Sequence, residues 1–214
     1  MFKYKTELHC HTLESSPCGK VSAKDFVNTY IEKGYNTLVV TDHFTKDFCD
    51  KNHFLKGYYA AKEAGKGKIN VILGMEYRSP AFRNDYLIYG DIEKFLSKDL
   101  DLINIELNDF INLAHENSLL VYQAHPFRNS MTVLKPDLLD GIEVYNAHPR
   151  HDSRNFLVYS FAEHYGKKMI SGSDAHQVPD PARSGILTET EIKNHIDLLS
   201  VLKSENYKLI TLED

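Results

Sequence analysis

The stretch Thr37-Leu38-Val39-Val40-Thr41-Asp42-His43 places an unbroken apolar run directly before two residues that can bind metal ions. Such a run of aliphatic and β-branched residues is typical of a strand covered on both faces, as in a parallel sheet wrapped by helices. The same order, an apolar run followed by His or a carboxylate, recurs along the chain. The stretch therefore predicts a sheet whose strands end at a group of polar side chains.

The alternation of short apolar runs with longer amphipathic segments predicts an α/β protein. Strands are expected at Tyr4–Leu8, Thr37–Thr41, Asn70–Gly74, Asp85–Gly90, Leu119–Ala124, Gly141–Tyr145, Lys168–Ser171 and Lys208–Leu212. Helices are expected from a Ser22 cap to Lys33, and at Glu106–Asn117, Phe156–Tyr165 and Glu191–Lys203. About eight strands with mostly helical crossovers favour a small β/α barrel, with an open doubly wound sheet as the alternative.

The composition excludes several classes of protein. With 214 residues, 42% hydrophobic and 26% charged, the chain is expected to form one globular domain over residues 1–214. No apolar run approaches the ~20 residues that span a bilayer, and the first residues lack a secretory signal. A net charge of −5 argues against non-specific binding to nucleic acid. Three cysteines without a CxxC pair argue against a disulfide framework and favour a reducing, cytoplasmic setting.

Metal-capable side chains follow the predicted strands. They are His9-Cys10-His11, Asp42-His43, Glu76, His125, His148 and Asp174-Ala175-His176. The carboxyl ends of barrel strands open on one face, so residues far apart in sequence are expected to meet there. His and carboxylate groups are ligands for Zn, Mn or Fe. The sequence therefore predicts a metal centre at the mouth of the strands.

Each motif alone also has an ordinary explanation. His9 and His11 share a face simply because side chains alternate along a strand. Asp42 could serve a cap or loop, Glu76 could be a solvated carboxylate, and His125 could belong to a turn. The joint pattern, with five strand ends supplying His or acid, favours metal binding.

The remaining histidines and cysteines receive more ordinary interpretations. Surface or packing roles are expected for the histidines within helical segments, namely His53, His115, His164 and His195. His148 and His151 lie near the mouth, where metal binding or substrate contact stays open for either. Cys10 is expected to point away from its two histidine neighbours. Cys18 lies in a loop over the mouth and could approach a metal, but a buried or idle thiol is favoured.

Taken in order, the motifs HCH at 9–11, TDH at 41–43, GME at 74–76, AHP at 124–126 and GSDAH at 172–176 resemble the PHP superfamily of metal-dependent phosphoesterases. The resemblance spans most of the chain and implies a distorted (β/α)7 barrel that holds two or three divalent ions of Zn, Mn or Fe. It implies that His9, His11, Glu76 and Asp174 hold one metal. Glu76 would bridge to a second metal with His125, and His43 and His176 would belong to a third.

The sequence departs from the family pattern in two places. Many relatives carry Asp or His several residues after the first histidine pair, where this chain has Glu14-Ser15-Ser16-Pro17-Cys18. The family usually also supplies a His between the GME and AHP motifs, where this chain has Asp85-Tyr86-Leu87-Ile88-Tyr89. Glu14, Cys18, Asp85, water or substrate are therefore the candidates that would complete the second and third sites.

The resemblance implies hydrolysis of small phosphate esters through a metal-bridged hydroxide, with Asp174 and His176 in the catalytic centre. Arg183 is the first candidate for phosphate contact and Arg128 the second, because a guanidinium offers two parallel donors to an anion. His148 is a further candidate for substrate contact.

Two other functions stay open. One is an amidohydrolase-like reaction on a non-phosphate bond, and the other is a metal-binding regulatory module without turnover. The expected partner is a small phosphorylated substrate, rather than a membrane or nucleic acid. Its specificity is expected to come from the loops Thr45–Phe54 and Arg78–Asn84.

Overall fold

The computed structural model describes residues 1–80, 83–98 and 100–212. The strands are β1 Tyr4–Glu7, β2 Thr37–Val40, β3 His43–Phe44, β4 Asn70–Leu73, β5 Met75–Arg78, β6 Asp85–Tyr89, β7 Leu120–Gln123, β8 Gly141–Asn146, β9 Lys168–Gly172, β10 Gly185–Thr188 and β11 Tyr207–Ile210. The helices are α1 Ala23–Glu32, α2 Lys51–Gly65, α3 Ile92–Ser97, α4 Leu107–Glu116, α5 Asn155–His164 and α6 His195–Ser204, with a 3-10 turn at Pro136–Leu138. Each predicted strand and helix overlaps an observed one. The sequence pattern did not predict β3, β5, β10, α2 or α3.

The α/β class is confirmed, and the strands form two mixed sheets where a distorted (β/α)7 barrel was expected. The first has the order β11-β10-β1-β2-β4, and the second has the order β3-β5-β6-β7-β8-β9. β5 pairs antiparallel with β6, and β6 pairs antiparallel with β7, so the run of parallel strands is interrupted. Only positions 79–84 separate β5 from β6, whereas a parallel crossover needs about a dozen residues or more. Across the described ranges, the strands form no closed ring.

Continuous chain nevertheless connects the two sheets at the site. β2 leads into β3 through Thr41 and Asp42, and β4 leads into β5 through Gly74. On the other side, Cys10 after β1 forms a parallel bridge with Ala175 after β9. The segments that carry the candidate ligands therefore lie at the junction of the sheets.

Helix ends and packing follow from ordinary sequence signals. The Ser22 side chain accepts a hydrogen bond from the Asp25 amide, which caps α1 as predicted. On α4, buried Phe110 stacks on Tyr77 of β5 with ring centroids 3.6 Å apart. None of the helices in the described segments is long and apolar enough to cross a membrane.

Candidate metal centre

Glu76 lies at the middle of the histidine cluster and is 1% exposed. Its Oε1 is 3.2 Å from His9 Nε2 and 3.3 Å from His125 Nε2. Its Oε2 is 3.3 Å from His11 Nε2 and 2.8 Å from His43 Nδ1. Each carboxylate oxygen thus faces two imidazoles, which is the arrangement expected of a bridging ligand.

Asp174 completes the cluster from the opposite sheet edge. Its Oδ1 is 3.4 Å from the Nε2 atoms of both His9 and His11, and 3.3 Å from His176 Nε2. Its Oδ2 accepts hydrogen bonds from Arg128 and, at 3.2 Å, from Asn146 Nδ2. One oxygen is therefore held by donors, while the other faces the imidazoles.

Backbone geometry aims the ligands into the centre. His9 and His11 flank Cys10, whose thiol lies on the other side near the Val39 carbonyl oxygen, as predicted. His125 and Asp174 have φ angles of 28° and 47°. Residues other than glycine rarely adopt this left-handed backbone conformation. Such backbone strain is found where a functional side chain must point in a particular direction.

Glu143 on β8 supports two of the histidines from behind. Its Oε1 lies 2.8 Å from His9 Nδ1, and its Oε2 accepts from the His125 amide at 3.0 Å and from Asn146 Nδ2 at 2.9 Å. A carboxylate on the far nitrogen of a ligating imidazole fixes the orientation of the ring. Glu143 was not among the residues predicted from the sequence, although an acidic residue within an apolar strand is a usable signal.

The close approach of His9 and Glu143 to the backbone of β9 requires glycine at position 172. A Cβ at this position would lie 2.5 Å from the His9 Cβ and 2.7 Å from Glu143 Oε1. Any larger residue would therefore push apart the ligand and the carboxylate that orients it.

Other acidic candidates have structural partners. The Asp42 carboxylate accepts from the Thr12 amide at 2.7 Å and from Ser16 Oγ at 2.6 Å, and burial raises its pKa to about 6. The Glu14 carboxylate accepts from the Ala23 amide and so holds the start of α1. The Asp85 carboxylate accepts hydrogen bonds from Nε and Nη2 of Arg78, and its Oδ2 lies 3.9 Å from His125 Nε2. Of these carboxylates, Asp85 alone lies beside the cluster.

Charges of opposite sign stabilise one another in the buried centre. Burial opposes ionisation of Glu76 and Asp174, but the surrounding imidazoles, together with Arg128 at Asp174, hold both pKa values well below their ordinary range. Burial lowers the pKa of His9, yet the carboxylates of Asp174, Glu143 and Glu76 outweigh it and raise that pKa well above its ordinary value. Burial and, after it, the neighbouring His43 hold the pKa of His11 well below its ordinary value.

The residues fit divalent metal ions. Glu76 Oε2, His43 Nδ1 and His176 Nε2 are buried atoms with no hydrogen-bond partner among the described residues. Potential ligand atoms within 4.8 Å of one another form the groups His9–His11–Asp174, His9–Glu76–His125, His43–Glu76–Asp85 and His11–Cys18–His43–His176. Buried polar atoms without partners are costly, and several donor atoms directed at one point are what a metal requires.

A cavity of about 850 Å³ opens directly over this centre. Its floor includes Glu76, His125, Asp174 and His176, and its walls carry Lys46, Arg78, Arg83, Arg128 and His151. Both loops expected to set specificity contribute to the walls, through residues 45–48 and through Arg78, Ser79, Pro80 and Arg83. Positions 81 and 82 of the second loop lie outside the described residues. The part of the predicted loop from residue 51 onward belongs to α2 instead.

Two residues predicted to contact substrate, Arg183 and His148, do not line the described cavity. Arg183 is not among the described residues that line the cavity, and its Nε donates to the Ala147 carbonyl at 3.3 Å. His148 is buried beside His176, with its Nε2 3.0 Å from His176 Nδ1, and burial lowers the pKa of His148 to about 3. His151 lines the cavity, so its side chain is the nearer of the two loop histidines to a substrate.

Fold and site together define a mixed α/β protein with a buried histidine–carboxylate centre able to bind metal. The chain belongs to the PHP domain family, whose sequence model matches residues 7–211. No curated protein sequence matches the chain.

Solved structures share the fold at low sequence identity. PsfC from Pseudomonas syringae PB-5123 has a TM-score of 0.74 and 17% identity, with 94% of this chain and 89% of that chain covered. A two-domain protein from Bacteroides vulgatus containing a predicted PHP-like metal-dependent phosphoesterase has a TM-score of 0.72 and 18% identity. That match covers 97% of this chain but 64% of the two-domain protein, so the chain spans less than two thirds of its length. An amidohydrolase from Chromobacterium violaceum, solved with sulfate and without metal, has a TM-score of 0.54 and 15% identity, covering 82% of this chain and 89% of that one.

Proposed function

We propose that this protein is a metal-dependent hydrolase of small phosphate esters. The observation that carries the proposal is the convergence of five histidines, Glu76 and Asp174 on the floor and immediate underside of one cavity, whose walls also carry four cationic side chains. Membership of the PHP family and the similarity to a phosphoesterase-containing protein support the same reaction class.

The ligand side chains divide into overlapping sets. His9, His11, Glu76 and Asp174 would hold one ion, and Glu76 with His125 would hold a second, with Asp85 beside them. Bound divalent ions supply an activated water and neutralise charge on phosphoryl oxygens during in-line displacement. The chain's own contribution is to orient these ligands, through Glu143 on His9 and His148 on His176.

The cavity walls favour an anionic substrate. Arg78, Arg83, Arg128 and Lys46 line the walls, and arginine forks match the geometry of phosphate oxygens. Arg128 lies nearest the ligands, because its guanidinium contacts both Asp174 and Asn146. We therefore place phosphate contact on the cavity arginines, with Arg128 first, rather than on Arg183.

Amide hydrolysis is the second candidate, because a solved neighbour of this fold is an amidohydrolase. A neutral amide carbonyl has no need of several wall cations, whereas a phosphate dianion does. The same lining also carries Asp47, Asp85 and Asp152, so it is the four wall cations themselves that favour the phosphoesterase reaction.

A substrate panel tests the proposal. Purified protein is stripped with chelator, reloaded separately with Zn²⁺, Mn²⁺ or Fe²⁺, and assayed on aryl phosphates, nucleotides, sugar phosphates and an amide series. We expect phosphate release that chelator abolishes and that Asp174→Asn and His11→Ala each reduce at least about 100-fold. His164→Ala, on the exposed surface of α5, is the matched control and should retain wild-type activity.

Turnover of amides alone would replace the proposal with the second candidate. Metal-loaded protein that is inert on every ester and amide would favour a regulatory module.

A further inference from the structure

Cys18 lies within a group of histidines at the edge of the metal centre. The ligand atoms of Cys18, His11, His43 and His176 all lie within 4.8 Å of one another. His43 and His176 approach from separate strand ends, β3 and the segment after β9, so their meeting at Cys18 is a product of the fold.

Two atoms in this group lack ordinary partners. His43 Nδ1 and His176 Nε2 are buried and accept or donate no hydrogen bond among the described residues. His43 Nδ1 approaches Glu76 Oε2 at 2.8 Å and His176 Nε2 approaches Asp174 Oδ1 at 3.3 Å without forming hydrogen bonds of good geometry. Close approaches between a ring nitrogen and a carboxylate oxygen, without a hydrogen bond, are expected where both atoms are ligands of one metal ion.

The neighbours of Cys18 in the same loop are occupied elsewhere. Glu14 accepts from the Ala23 amide, Ser15 donates to the His53 carbonyl, and Ser16 donates to Asp42. Ser16 Oγ also lies 3.3 Å from His11 Nδ1, but its hydroxyl proton goes to Asp42, whereas the Cys18 thiol lies within 4.8 Å of ligand atoms of all three histidines.

A short turn fixes the position of the thiol. The Gly19 amide donates to the Ser16 carbonyl at 3.1 Å, and the Lys20 amide donates to the His176 carbonyl at 2.6 Å. A Cβ at Gly19 would lie 2.2 Å from the Thr12 carbonyl oxygen, so the turn closes tightly against the preceding segment. The loop that carries Cys18 is therefore tied directly to the residue whose imidazole would share its metal.

We propose that Cys18 is a thiolate ligand which, with His43 and His176 and beside His11, forms a sulfur-containing metal subsite. The inference rests on the metal centre of the proposed function but concerns a ligand that the reaction class does not require. Thiolate favours Zn²⁺, whereas sites of carboxylate and water suit Mn²⁺. A thiolate at this position would therefore favour Zn²⁺ over Mn²⁺ at the subsite.

Cobalt substitution tests the ligand directly. Chelator-stripped protein is titrated with Co²⁺ while the near-ultraviolet thiolate-to-cobalt charge-transfer absorption and the bound equivalents are measured. We expect the absorption in wild type and in Cys49→Ser, and its loss in Cys18→Ser together with about one equivalent of bound metal. Cys49 is the matched control because its thiol lies near the Lys46 carbonyl oxygen, outside the cluster.

Retention of the absorption by Cys18→Ser, or its absence from wild type that binds two or more Co²⁺, would overturn the proposal. Protection of the Cys18 thiol from modification supplies a measurement that does not depend on whether Cys18→Ser folds. In Cys49→Ser, the remaining thiols are Cys18 and fully buried Cys10, so added Zn²⁺ should slow modification by a thiol reagent at least tenfold. An unchanged modification rate at saturating Zn²⁺ would also reject the thiolate ligand.

These readouts separate the inference from the proposed function. Loss of the absorption in Cys18→Ser, in a protein that hydrolyses no phosphate ester, would sustain the ligand and reject the reaction. Phosphate hydrolysis without any cobalt–thiolate absorption would do the reverse.

Discussion

Glu143 shows how a residue that is not itself a ligand controls the centre. Its two oxygens accept from the His9 ring, the His125 amide and the Asn146 side chain. A glutamine cannot satisfy all three donors, because its NH₂ group would face at least one of them. Glu143 therefore connects strand β8 to the His9 ring and to the backbone of His125, two of the candidate ligands.

We expect Glu143→Gln to weaken Zn²⁺ binding by about 10–100-fold, as loss of an outer carboxylate partner does in other metal sites. Calorimetric titration of chelator-stripped protein measures the change. Glu116→Gln, on the exposed surface of α4, is the matched control and should bind Zn²⁺ as the wild type does. Equal affinities for all three proteins would mean that Glu143 does not orient His9.

At the scale of elements, buried Glu7 joins β1 to the segment after β9. Its carboxylate accepts from the Leu8, His9 and Ser173 amides at 2.9–3.0 Å, and from Tyr30 at 2.8 Å. Burial raises the pKa of Glu7 despite these donors. The contacts place the backbone of His9 directly beside the loop that carries Asp174.

Glu7→Ala should lower the free energy of unfolding by more than about 3 kcal/mol, because several buried donors lose their acceptor at once. Urea denaturation at pH 7 measures the loss. Tyr30→Phe removes a single hydrogen bond to the same carboxylate and should cost about 1 kcal/mol. If Glu7→Ala lowered the free energy of unfolding no more than Tyr30→Phe does, the hydrogen bonds to the Glu7 carboxylate would not stabilise the fold in the way described.

The loop after β9 depends on Asp180 in the same way. Its carboxylate accepts from the His176 amide at 3.1 Å and the Gln177 amide at 3.0 Å, and it pairs with the Arg150 fork. Burial alone would raise the pKa of Asp180, but Arg150 and the two amides outweigh it and lower that pKa below the ordinary value of 3.8. The ionised form therefore stabilises the folded loop.

A carboxyl group with a lowered folded pKa contributes stability above its unfolded pKa and loses it as the pH falls through the folded value. Asp180→Asn should therefore cost about 2 kcal/mol at pH 7, and the difference from wild type should shrink below about pH 4. Urea denaturation of both proteins between pH 3 and pH 7 measures the difference. Exposed Asp137→Asn is the control and should track wild type, while a constant Asp180→Asn difference across the range would refute the ion-pair account.

At the scale of the whole molecule, the centre joins segments from both sheets. Its candidate ligands follow β1, β7 and β9 or lie within β3 and β5, so metal ions bound there would connect distant parts of the chain. A ligand that binds only the folded state stabilises it by mass action, by about 4 kcal/mol at 1,000 times its Kd.

Metal removal should therefore lower the melting temperature by roughly 10 °C for a chain of this length. Thermal unfolding is followed in excess Zn²⁺, in excess chelator, and in chelator already saturated with Zn²⁺ as the control. Asp174→Asn should show a smaller chelator effect, because it lacks one ligand. An identical melting temperature under all three conditions would argue against a metal centre that connects the sheets.

The sequence by itself predicted the candidate ligands and most of the elements. The histidine and carboxylate motifs follow buried apolar runs, and both signals are local, so His9, His11, Glu76, His125 and Asp174 could be found without coordinates. The helix from the Ser22 cap was predictable for the same reason, because capping and periodicity act over a few residues.

Only the tertiary structure decided how the sheets close and what surrounds the ligands. Strand pairing depends on contacts between distant segments, and the short β5–β6 connection gave an antiparallel pair where a parallel barrel was expected. Glu143 behind His9, Cys18 beside His43 and the position of Arg183 outside the cavity wall likewise depend on which side chains the fold brings within a few ångströms. Local sequence carries the chemistry of each ligand, whereas its partners are set by packing between residues far apart in the chain.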